Sequence, residues 1–456
     1  MEAGQGSVPD TRTPGNGDST LKMSASTLSL SNAATKEQSS RGWSTGDVRS
    51  RLDNDGRLDA DNVAQSLLLD ARSRFDELES EDRALESFDI DASAFAPAHL
   101  TALAPLATRL VDLCLYNCFN ICVVDLSPLL AASLGHGSLR SLSLTLSCGD
   151  VDGLFTTVAA CCPNLEELQV WRSVDDMDME RWDVQAEAID MMLEKVVSLR
   201  TLAVESMRFV DEFDKTETKI DPEPSGARLR GLSMVDCEFS RTFFTSICRG
   251  RALRYLEVVG SAGSTSWEDG EGEVETMIGG AILAVAGEMC GETLTSLGIC
   301  GLELRDHDVK GISLYFKNLK RVSLGDFSMG LTGKAMNYLA KVKNLQLLHL
   351  LSDGFTATDT WGREEGDEPG ISDNDLDGLD GIRDLILVGI KGVTPDGIRM
   401  HMSQVTDVGV SGCDGWSNPQ QVCRLCRANE DVVIRVVQGA NLLSNGTFQA
   451  AFWDCK

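Results

Sequence analysis

Apolar residues recur along most of the chain at positions i, i+3 and i+5, from Leu85 onward. On an extended segment the residues at i+3 and i+5 share one face and the residue at i stands at its entrance, so each triplet predicts a short strand with two inward side chains. The twelve triplets are Leu85/Phe88/Ile90, Leu110/Leu113/Leu115, Leu139/Leu142/Leu144, Leu165/Leu168/Val170, Leu199/Leu202/Val204, Leu229/Leu232/Met234, Leu253/Leu256/Val258, Leu294/Leu297/Ile299, Leu319/Val322/Leu324, Leu345/Leu348/Leu350, Ile382/Leu385/Leu387 and Val405/Val408/Val410. The pattern predicts one structural unit that repeats along the chain.

Amphipathic stretches separate the triplets and predict one helix in each unit. A polar residue that can cap a helix, followed by proline at the first helical position, is a typical helix start. The candidate starts of this kind are Ser127-Pro128, Thr394-Pro395 and Asn418-Pro419, and Asp150 and Asp308 are placed to cap two further helices. The predicted unit is therefore strand, loop, helix and loop.

The spacing of the units is typical of leucine-rich repeats, whose period is about 20 to 29 residues. Between Leu85 and Val405 the mean interval is about 29 residues, and the shortest intervals are 23 to 26 residues. One such unit cannot cover its own apolar face, but stacked units bury their leucines against each other. The sequence predicts an α/β leucine-rich-repeat solenoid, a horseshoe of about 12 repeats with a concave parallel sheet and convex helices.

Two segments narrow the class of repeat: Cys161 to Val170 and Lys317 to Leu324. They resemble the cysteine-containing leucine-rich repeats of F-box/LRR proteins and the wider ribonuclease-inhibitor-like (RNI-like) superfamily, and the resemblance covers roughly residues 80 to 430. In that family a Cys or Asn often follows the strand, eight residues after the first leucine. Cys118, Cys237 and Cys413 stand there, whereas nine other units hold a different residue.

The resemblance implies one candidate role, that of a substrate-recognition subunit of a cullin-type ubiquitin ligase, with Skp-type adaptor and cullin components as partners. An F-box would be an apolar helical module with a Leu-Pro-like start ahead of the repeats. We find no such module before Leu85. The chain therefore departs from the F-box pattern where that role would need it.

Composition divides the chain into four predicted segments. Residues 1–60 are rich in Ser, Thr, Gly, Asp and Asn and predict a disordered N-terminal tail. Residues 61–82 predict a capping helix, 83–438 the solenoid and 439–456 a C-terminal cap, with Val433 to Val437 as a degenerate further strand. The start of the chain lacks the basic and apolar features of a secretory signal, and no apolar run approaches a membrane span. We expect a cytoplasmic or nuclear monomer with reduced cysteines.

Catalytic chemistry is not indicated, and we expect no enzyme activity, cofactor, metal or catalytic residue. The five histidines are scattered over different units without a nucleophile or carboxylate at a catalytic spacing, and no phosphate-binding or dinucleotide glycine motif is present. Cys423 and Cys426 form a close pair that Cys413 and His401 would complete as a zinc quartet, but a single pair is a weak zinc signal. We expect the cysteines to be small buried residues, with Cys423 and Cys426 facing the core.

Charge narrows the class of partner. The chain carries 70 acidic and 41 basic residues and a net charge of −29. This balance repels phosphate backbones and anionic membranes, so we expect neither nucleic acid nor membrane as a partner. A basic protein surface is the partner that the charge favours.

Side chains that alternate with the buried leucines are predicted to face the concave side. Aromatic residues interspersed with acids favour a basic protein or peptide, and one such group spans neighbouring strands. The candidate concave-face residues are Glu167, Gln169, Trp171, Glu205, Tyr255 and Glu257, and further concave positions include Asp112, Tyr116, Arg321, His349, Asp384 and Asp407. The alternative is a sheet face that is merely solvated.

Four long insertions begin just after strands and are predicted to project from one rim of the solenoid: Ser173 to Val184, Ser206 to Gly226, Gly260 to Thr276 and Ser352 to Asp380. Their charges of −4, −3, −5 and −9 add to −21 of the net −29. Insertions on one face often mark a binding side, and acidic loops speed association with a basic partner, although such loops can also serve only solubility. The candidate rim residues are Trp182, Trp267, Trp361, Glu364, Glu365, Asp367 and Glu368, and Trp416 follows a later strand on the same side.

Overall fold

The computed structural model describes residues 87–455, apart from 94, 108–109, 135–136, 148–149, 173–180, 211–227, 261–265, 270–272, 277–278, 303, 327–330, 353–369, 414–415, 417–418, 429–431, 438–440, 443–447 and 450–452. The predicted tail at 1–60 and the predicted capping helix at 61–82 lie outside the described residues.

Strands follow the triplets along the chain. In chain order they are β1 Ser87–Asp91, β2 Asp112–Cys118, β3 Ser141–Leu146, β4 Glu167–Arg172, β5 Trp182–Gln185, β6 Thr201–Glu205, β7 Met207–Val210, β8 Gly231–Val235, β9 Tyr255–Val259, β10 Ser266–Asp269, β11 Glu273–Thr276, β12 Ser296–Cys300, β13 Arg321–Asp326, β14 Leu347–Ser352, β15 Asp384–Val388, β16 Asp407–Ser411, β17 Val433–Val437, β18 Asn441–Leu442, β19 Phe448–Gln449 and β20 Trp453–Cys455. One strand therefore stands at each of the twelve predicted positions.

Fourteen of the described strands form one sheet, in the order β1-β2-β3-β4-β6-β8-β9-β12-β13-β14-β15-β16-β17-β20. Each strand up to β17 pairs in parallel with its neighbour, whereas β20 pairs antiparallel to β17. The segment from Val433 to Val437, which the sequence indicated as a further strand, is β17. Strand β20, near the end of the chain, thus pairs with the edge of β17, the last parallel strand of the sheet.

Equivalent leucines of successive repeats lie side by side. Leu142 is in register with Leu168, which is in register with Leu202, and the row continues through Leu256. These side chains are fully buried. Because the repeated alternation places every inward residue on the same face of the sheet, the triplets specify one continuous core. This is the predicted leucine-rich-repeat solenoid.

Helices cover the face of the sheet into which the leucines point. They are α1 Pro97–Ala107, α2 Val123–Leu134, α3 Val151–Cys161, α4 Ala186–Lys195, α5 Arg241–Cys248, α6 Gly279–Cys290, α7 Asp306–Tyr315, α8 Gly333–Leu339, α9 Pro395–His401 and α10 Pro419–Ala428, with a 3₁₀ turn at Asp373–Leu376. None of the helices in the described part of the chain is both long and apolar enough to cross a membrane. Most consecutive helices pack on each other, the 3₁₀ turn packs between α8 and α9, and together these elements enclose the core from the convex side.

Two of the predicted helix caps are confirmed. The Asp150 carboxylate accepts a hydrogen bond from the backbone N–H of Gly153 at 2.9 Å. The Thr394 hydroxyl accepts one from Gly397, with Pro395 at the first helical position. Helix α10 also begins at Pro419 as predicted, while Asn418 lies outside the described residues.

Two other helix starts differ from the predicted ones. Helix α2 begins at Val123, because Asp125 accepts a hydrogen bond from the backbone N–H of Cys122 at 2.8 Å, and Pro128 lies inside the helix. Asp308 lies in the first turn of α7, and its carboxylate accepts a hydrogen bond from the backbone N–H of Arg305 at 2.9 Å. Each carboxylate lies in the first turn of its helix and accepts a hydrogen bond from the backbone N–H of the residue that precedes the helix, as the Glu or Gln of a capping box does. A residue in this position gives no simple sequence signal ahead of the helix.

The predicted cysteine position has a structural role at the end of the strands. The Cys237 thiol donates to the carbonyl of Val204 in the preceding repeat at 3.6 Å. The Cys413 thiol donates in the same way to Leu387 at 3.5 Å. A small buried thiol therefore satisfies a carbonyl of the neighbouring repeat.

Candidate functional site

Three side chains of β4 form a ladder on the concave face, where the sequence placed them. Gln169 donates through Nε2 to the Glu167 carboxylate, and Trp171 donates through Nε1 to Oε1 of Gln169 at 3.2 Å. All three are partly exposed. Because residues i and i+2 share a face of a strand, the ladder holds the indole and the carboxylate on one strip of surface.

A second group lies on β9, with one contribution from β8. The Tyr255 hydroxyl donates to Oε2 of Glu257 at 2.5 Å, and the Ser233 hydroxyl donates to the same oxygen at 2.9 Å. Burial, with Glu257 next, raises the pKa of Tyr255 above its ordinary range, so the phenol stays a donor. Among the described residues, Oε1 of Glu257 has no hydrogen-bond partner.

Small residues separate the two groups. Strands β6 and β8 lie between β4 and β9 and present Thr201, Ala203, Gly231 and Ser233 at the concave positions. Ala203 and Ser233 are 6% and 5% exposed, which shows a floor recessed below its flanks. Three strand intervals span about 14 Å. We call this surface the acidic trough, defined by Glu167, Gln169, Trp171, Thr201, Ala203, Gly231, Ser233, Tyr255 and Glu257.

A glycine supports the carboxylate on the far flank of the acidic trough. A Cβ atom on Gly298 of β12 would lie 3.3 Å from Cγ of Glu257. The stem of Glu257 therefore leans over the bare backbone of β12. Glycine at this position lets the carboxylate approach the sheet closely.

Glu205, the remaining predicted concave residue, stands at the end of the acidic trough and not on its floor. Its side chain is 6% exposed and accepts a hydrogen bond from the backbone N–H of Arg172 at 3.1 Å. Burial raises the pKa of Glu205 to about 7, and the bond from Arg172 opposes this only in part. Glu205 is thus a proton-binding group close to neutral pH, which the sequence did not indicate.

The rim above β6 and β8 is better organised than the sequence predicted. Residues of the first two insertions pair in parallel as β5 and β7. Arg181 binds Asp236 at 2.8 Å and Glu238 at 3.7 Å, and Arg208 binds Glu238 at 3.0 Å. Arg181 and Arg208 belong to the first two insertions, and both are paired with carboxylates that lie outside those insertions.

The predicted rim tryptophans have different surroundings. Trp182 is partly buried against the core, and its backbone N–H donates to Ser206 at 3.1 Å. Trp416 is 6% exposed and donates through Nε1 to the carbonyl of Val393 at 3.1 Å, so its indole is buried and is not an exposed anchor. Trp267 lies on β10, but its side chain is not among those that the structure describes. The remaining predicted rim residues lie outside the described residues: Trp361, Glu364, Glu365, Asp367 and Glu368.

The concave face beyond the acidic trough carries a different set of charges, which we call the C-terminal floor: Arg321, His349, Asp384, Asp407 and Arg435. Asp407 and Arg435 form an ion pair at 2.9 Å. His349 is 6% exposed, and its buried Nε2 has no hydrogen-bond partner in the described part of the chain. Burial, with Arg321 next, lowers the pKa of His349 to about 4.

Metal ligands do not gather among the described residues, where no group of three or more His, Cys, Asp and Glu could hold an ion. Cys413 and Cys426 are partly buried against the core, as expected. Cys423 is exposed, so the expectation that it faces the core is wrong. It points outward because its helix turns its apolar stripe inward at Val422 and Cys426. His401 binds Asp377 at 2.5 Å.

Comparisons with known proteins show distant likenesses of structure. No family model matches the sequence, and no curated protein matches it. A yeast complex of Rad7 and Elc1 has a TM-score of 0.46 at 13% identity, covering 80% of this chain and 87% of that chain. An internalin from Listeria monocytogenes has a TM-score of 0.36 at 14% identity, covering 71% and 74%. A TLR13–ssRNA13 complex has a TM-score of 0.37 at 13% identity, covering 72% and 39%. Likenesses of this degree assign no function, which must be argued from the site.

Proposed function

We propose that this protein is a non-enzymatic interaction scaffold that binds a basic protein segment in the acidic trough. The observation that carries the proposal is the state of the Glu257 carboxylate. Its Oε2 receives two neutral hydroxyl donors, while Oε1 lacks a partner among the described residues. Neutral donors hold this carboxylate in place without an internal cation, and its second oxygen is open to an incoming one.

Glu167 repeats this arrangement on the opposite flank. Its described partner is the neutral amide of Gln169, and no ion pair joins it to a described Arg or Lys. Two uncompensated carboxylates on strands about 14 Å apart suit an extended chain with basic side chains several residues apart. The recessed floor between them leaves room for the backbone of that chain.

Aromatic side chains supply the apolar contact. Trp171 and Tyr255 stand on opposite flanks and are both held by hydrogen bonds at one end. Rigid, partly exposed aromatic residues are favoured anchors in protein interfaces and can stack against Arg or Lys. The acidic trough thus combines charge with the residues that most often contribute binding energy.

Binding of a fluorescein-labelled deca-lysine peptide, followed by anisotropy, tests the proposal. The double variant Glu167→Gln/Glu257→Gln should weaken binding on the order of 10-fold to 100-fold, since each lost charge-assisted bond contributes about 1.5 to 3 kcal/mol before screening. The matched control is Glu187→Gln/Glu194→Gln, which removes two exposed carboxylates from convex helix α4. Equal losses in both variants would show that only net charge matters and would refute the trough as the site.

The resemblance to F-box/LRR proteins implies a different role, substrate recognition for a cullin-type ubiquitin ligase. That role predicts recovery of Skp-type adaptor and cullin subunits with the full chain after crosslinking. The trough variants would leave that recovery unchanged if the adaptor binds elsewhere, so the two roles are separable in one purification.

A further inference from the structure

Two buried thiols meet on the convex side, where consecutive helices end. Cys248 is the last residue of α5 and Cys290 is the last residue of α6, and they are 0% and 2% exposed. Each of the two thiols shifts the pKa of the other. The Cys290 thiol donates to the backbone carbonyl of Cys248 at 3.5 Å. The chain thus places two free cysteines of neighbouring repeats side by side.

A cleft opens beside this pair. It has a volume of about 430 Å³, and Cys290, Arg251 and Tyr315 are among the residues that line it. Arg251 is 7% exposed and donates through Nη1 to the carbonyl of Ile247, while its buried Nε lacks a hydrogen-bond partner among the described residues. A small solute entering the cleft therefore meets Cys290 next to a buried cation.

The surroundings of Cys290 favour its thiolate. The hydrogen bond from Cys248 lowers the pKa of Cys290 more than burial raises it, and the backbone of Leu253 and the Arg251 cation lower it further. The same bond raises the pKa of Cys248. Burial instead raises the pKa of Cys162 to about 11 and that of Cys237 to about 12. Thiolates, not thiols, are the nucleophilic form of cysteine.

We propose that Cys290 and Cys248 are a hydroperoxide-reactive pair, with Cys290 as the attacking thiolate and Cys248 as the resolving thiol. The sulfur of Cys290 attacks hydrogen peroxide; an S–O bond forms, the O–O bond breaks, and the leaving hydroxide takes up a proton to become water. The sulfur of Cys248 then attacks Cys290; the S–S bond forms, the S–O bond breaks, and the departing hydroxide takes the Cys248 proton. Two thiols are oxidised to a disulfide, and one peroxide is reduced to two molecules of water.

Peptide-level mass spectrometry of the reduced full chain tests this proposal. Limited hydrogen peroxide is added at neutral pH, remaining thiols are alkylated, and digestion is done without reductant. Cys290 should lose its free thiol on the order of 10-fold faster than Cys162, and a crosslinked Cys248–Cys290 peptide should accumulate. Equal rates at Cys290 and Cys162, or a disulfide between other cysteines, would overturn the proposal.

Variants separate the two roles. Cys248→Ser should leave Cys290 oxidised to a sulfenic acid that dimedone traps, whereas Cys290→Ser should leave Cys248 reduced. Cys162→Ser is the matched control, since Cys162 is likewise buried at the end of a helix, and it should not change the crosslink. Should a variant fail to fold, the rates of the individual cysteines in the unmodified chain still decide the question.

Discussion

The acidic trough and the C-terminal floor occupy equivalent positions of different repeats, but their carboxylates have partners of different charge. Glu257 and Glu167 receive hydrogen bonds from neutral groups. Asp407 is bound to Arg435, and the same cation acts on Asp384. Carboxylates are present in both regions, yet only those of the trough lack an internal cation among the described residues. On an acidic surface, the place to expect a basic partner is where negative charge is not already compensated.

One buried titratable group lies at the end of the acidic trough and another lies in the C-terminal floor, and acid has opposite effects on the two. Burial raises the pKa of Glu205 to about 7 and lowers the pKa of His349 to about 4, so both environments favour the neutral form. Protonation restores a neutral Glu205 but charges His349. Lowering the pH should therefore stabilise one region and destabilise the other.

The largest effect is expected for Glu205→Gln. The folded-state pKa of about 7 lies above the ordinary value of 4.5, so the cost of ionising Glu205 is full above pH 7 and disappears as the pH falls to 4.5. A shift of this size corresponds to roughly 3 kcal/mol. Urea denaturation should show the variant more stable than the parent by up to that amount at pH 8 and no different at pH 4.5. A variant that is less stable at pH 8 would mean that the Glu205 charge is needed for folding.

A similar or slightly smaller effect is expected at His349. Its folded-state pKa of about 4 lies below the ordinary value of 6.5, so stability is unaffected above pH 6.5 and falls by roughly 3 kcal/mol as the pH drops to 4. His349→Leu should remove this loss, as followed by urea denaturation at pH 7, 5 and 4. Because β6 and β14 are five strands apart in the sheet, the effects of Glu205→Gln and His349→Leu should add. If the stability of His349→Leu still falls between pH 6.5 and pH 4, other groups cause the loss.

The sequence predicts the core of this fold well because alternation along a strand determines which residues point inward. Leu142 and Leu144 could be placed in the core from spacing alone, and so could the degenerate strand at Val433 to Val437. The helix starts were harder to predict, since Asp125 and Asp308 accept the hydrogen bonds that cap their helices from within the first turn.

The chemistry of the concave face depends on contacts between distant parts of the chain. Alternation placed Glu257 on the concave face, but the bond from Ser233 comes from the adjacent strand, 24 residues away. Arg181 reaches Asp236 across 55 residues, because the insertion folds back over the strand ends. No local pattern reveals which carboxylates are compensated. The burial of Glu205 likewise follows from its neighbours in space.

Moderate changes in binding should follow when the C-terminal floor loses its cation. Arg435→Met leaves Asp407 and Asp384 without the cation that now compensates them, so that region should acquire the character of the acidic trough. Anisotropy with the deca-lysine peptide at low salt should show binding about 3-fold tighter. Arg424→Met, which removes an exposed arginine of convex helix α10 paired with Asp396 at 3.6 Å, is the control with the same change of charge. Identical gains in both variants would mean that local compensation does not decide where cations bind.

The smallest effect concerns the stability that the compensating pairs themselves provide. The side chains of Arg435 and Asp407 are 41% and 29% exposed, whereas those of Arg181 and Asp236 are 20% and 23% exposed. Arg181 also donates to the backbone carbonyl of Asp236 at 3.0 Å. A double-mutant cycle should give a coupling energy of about 0.5 kcal/mol for the first pair and about 1 kcal/mol for the second, since exposed ion pairs are screened by water. Equal coupling energies would indicate that burial does not distinguish the two sites. A larger value for Arg435 and Asp407 would mean that the C-terminal floor is held together by its charges, and its carboxylates would then be part of the fold and not a surface that a partner could use.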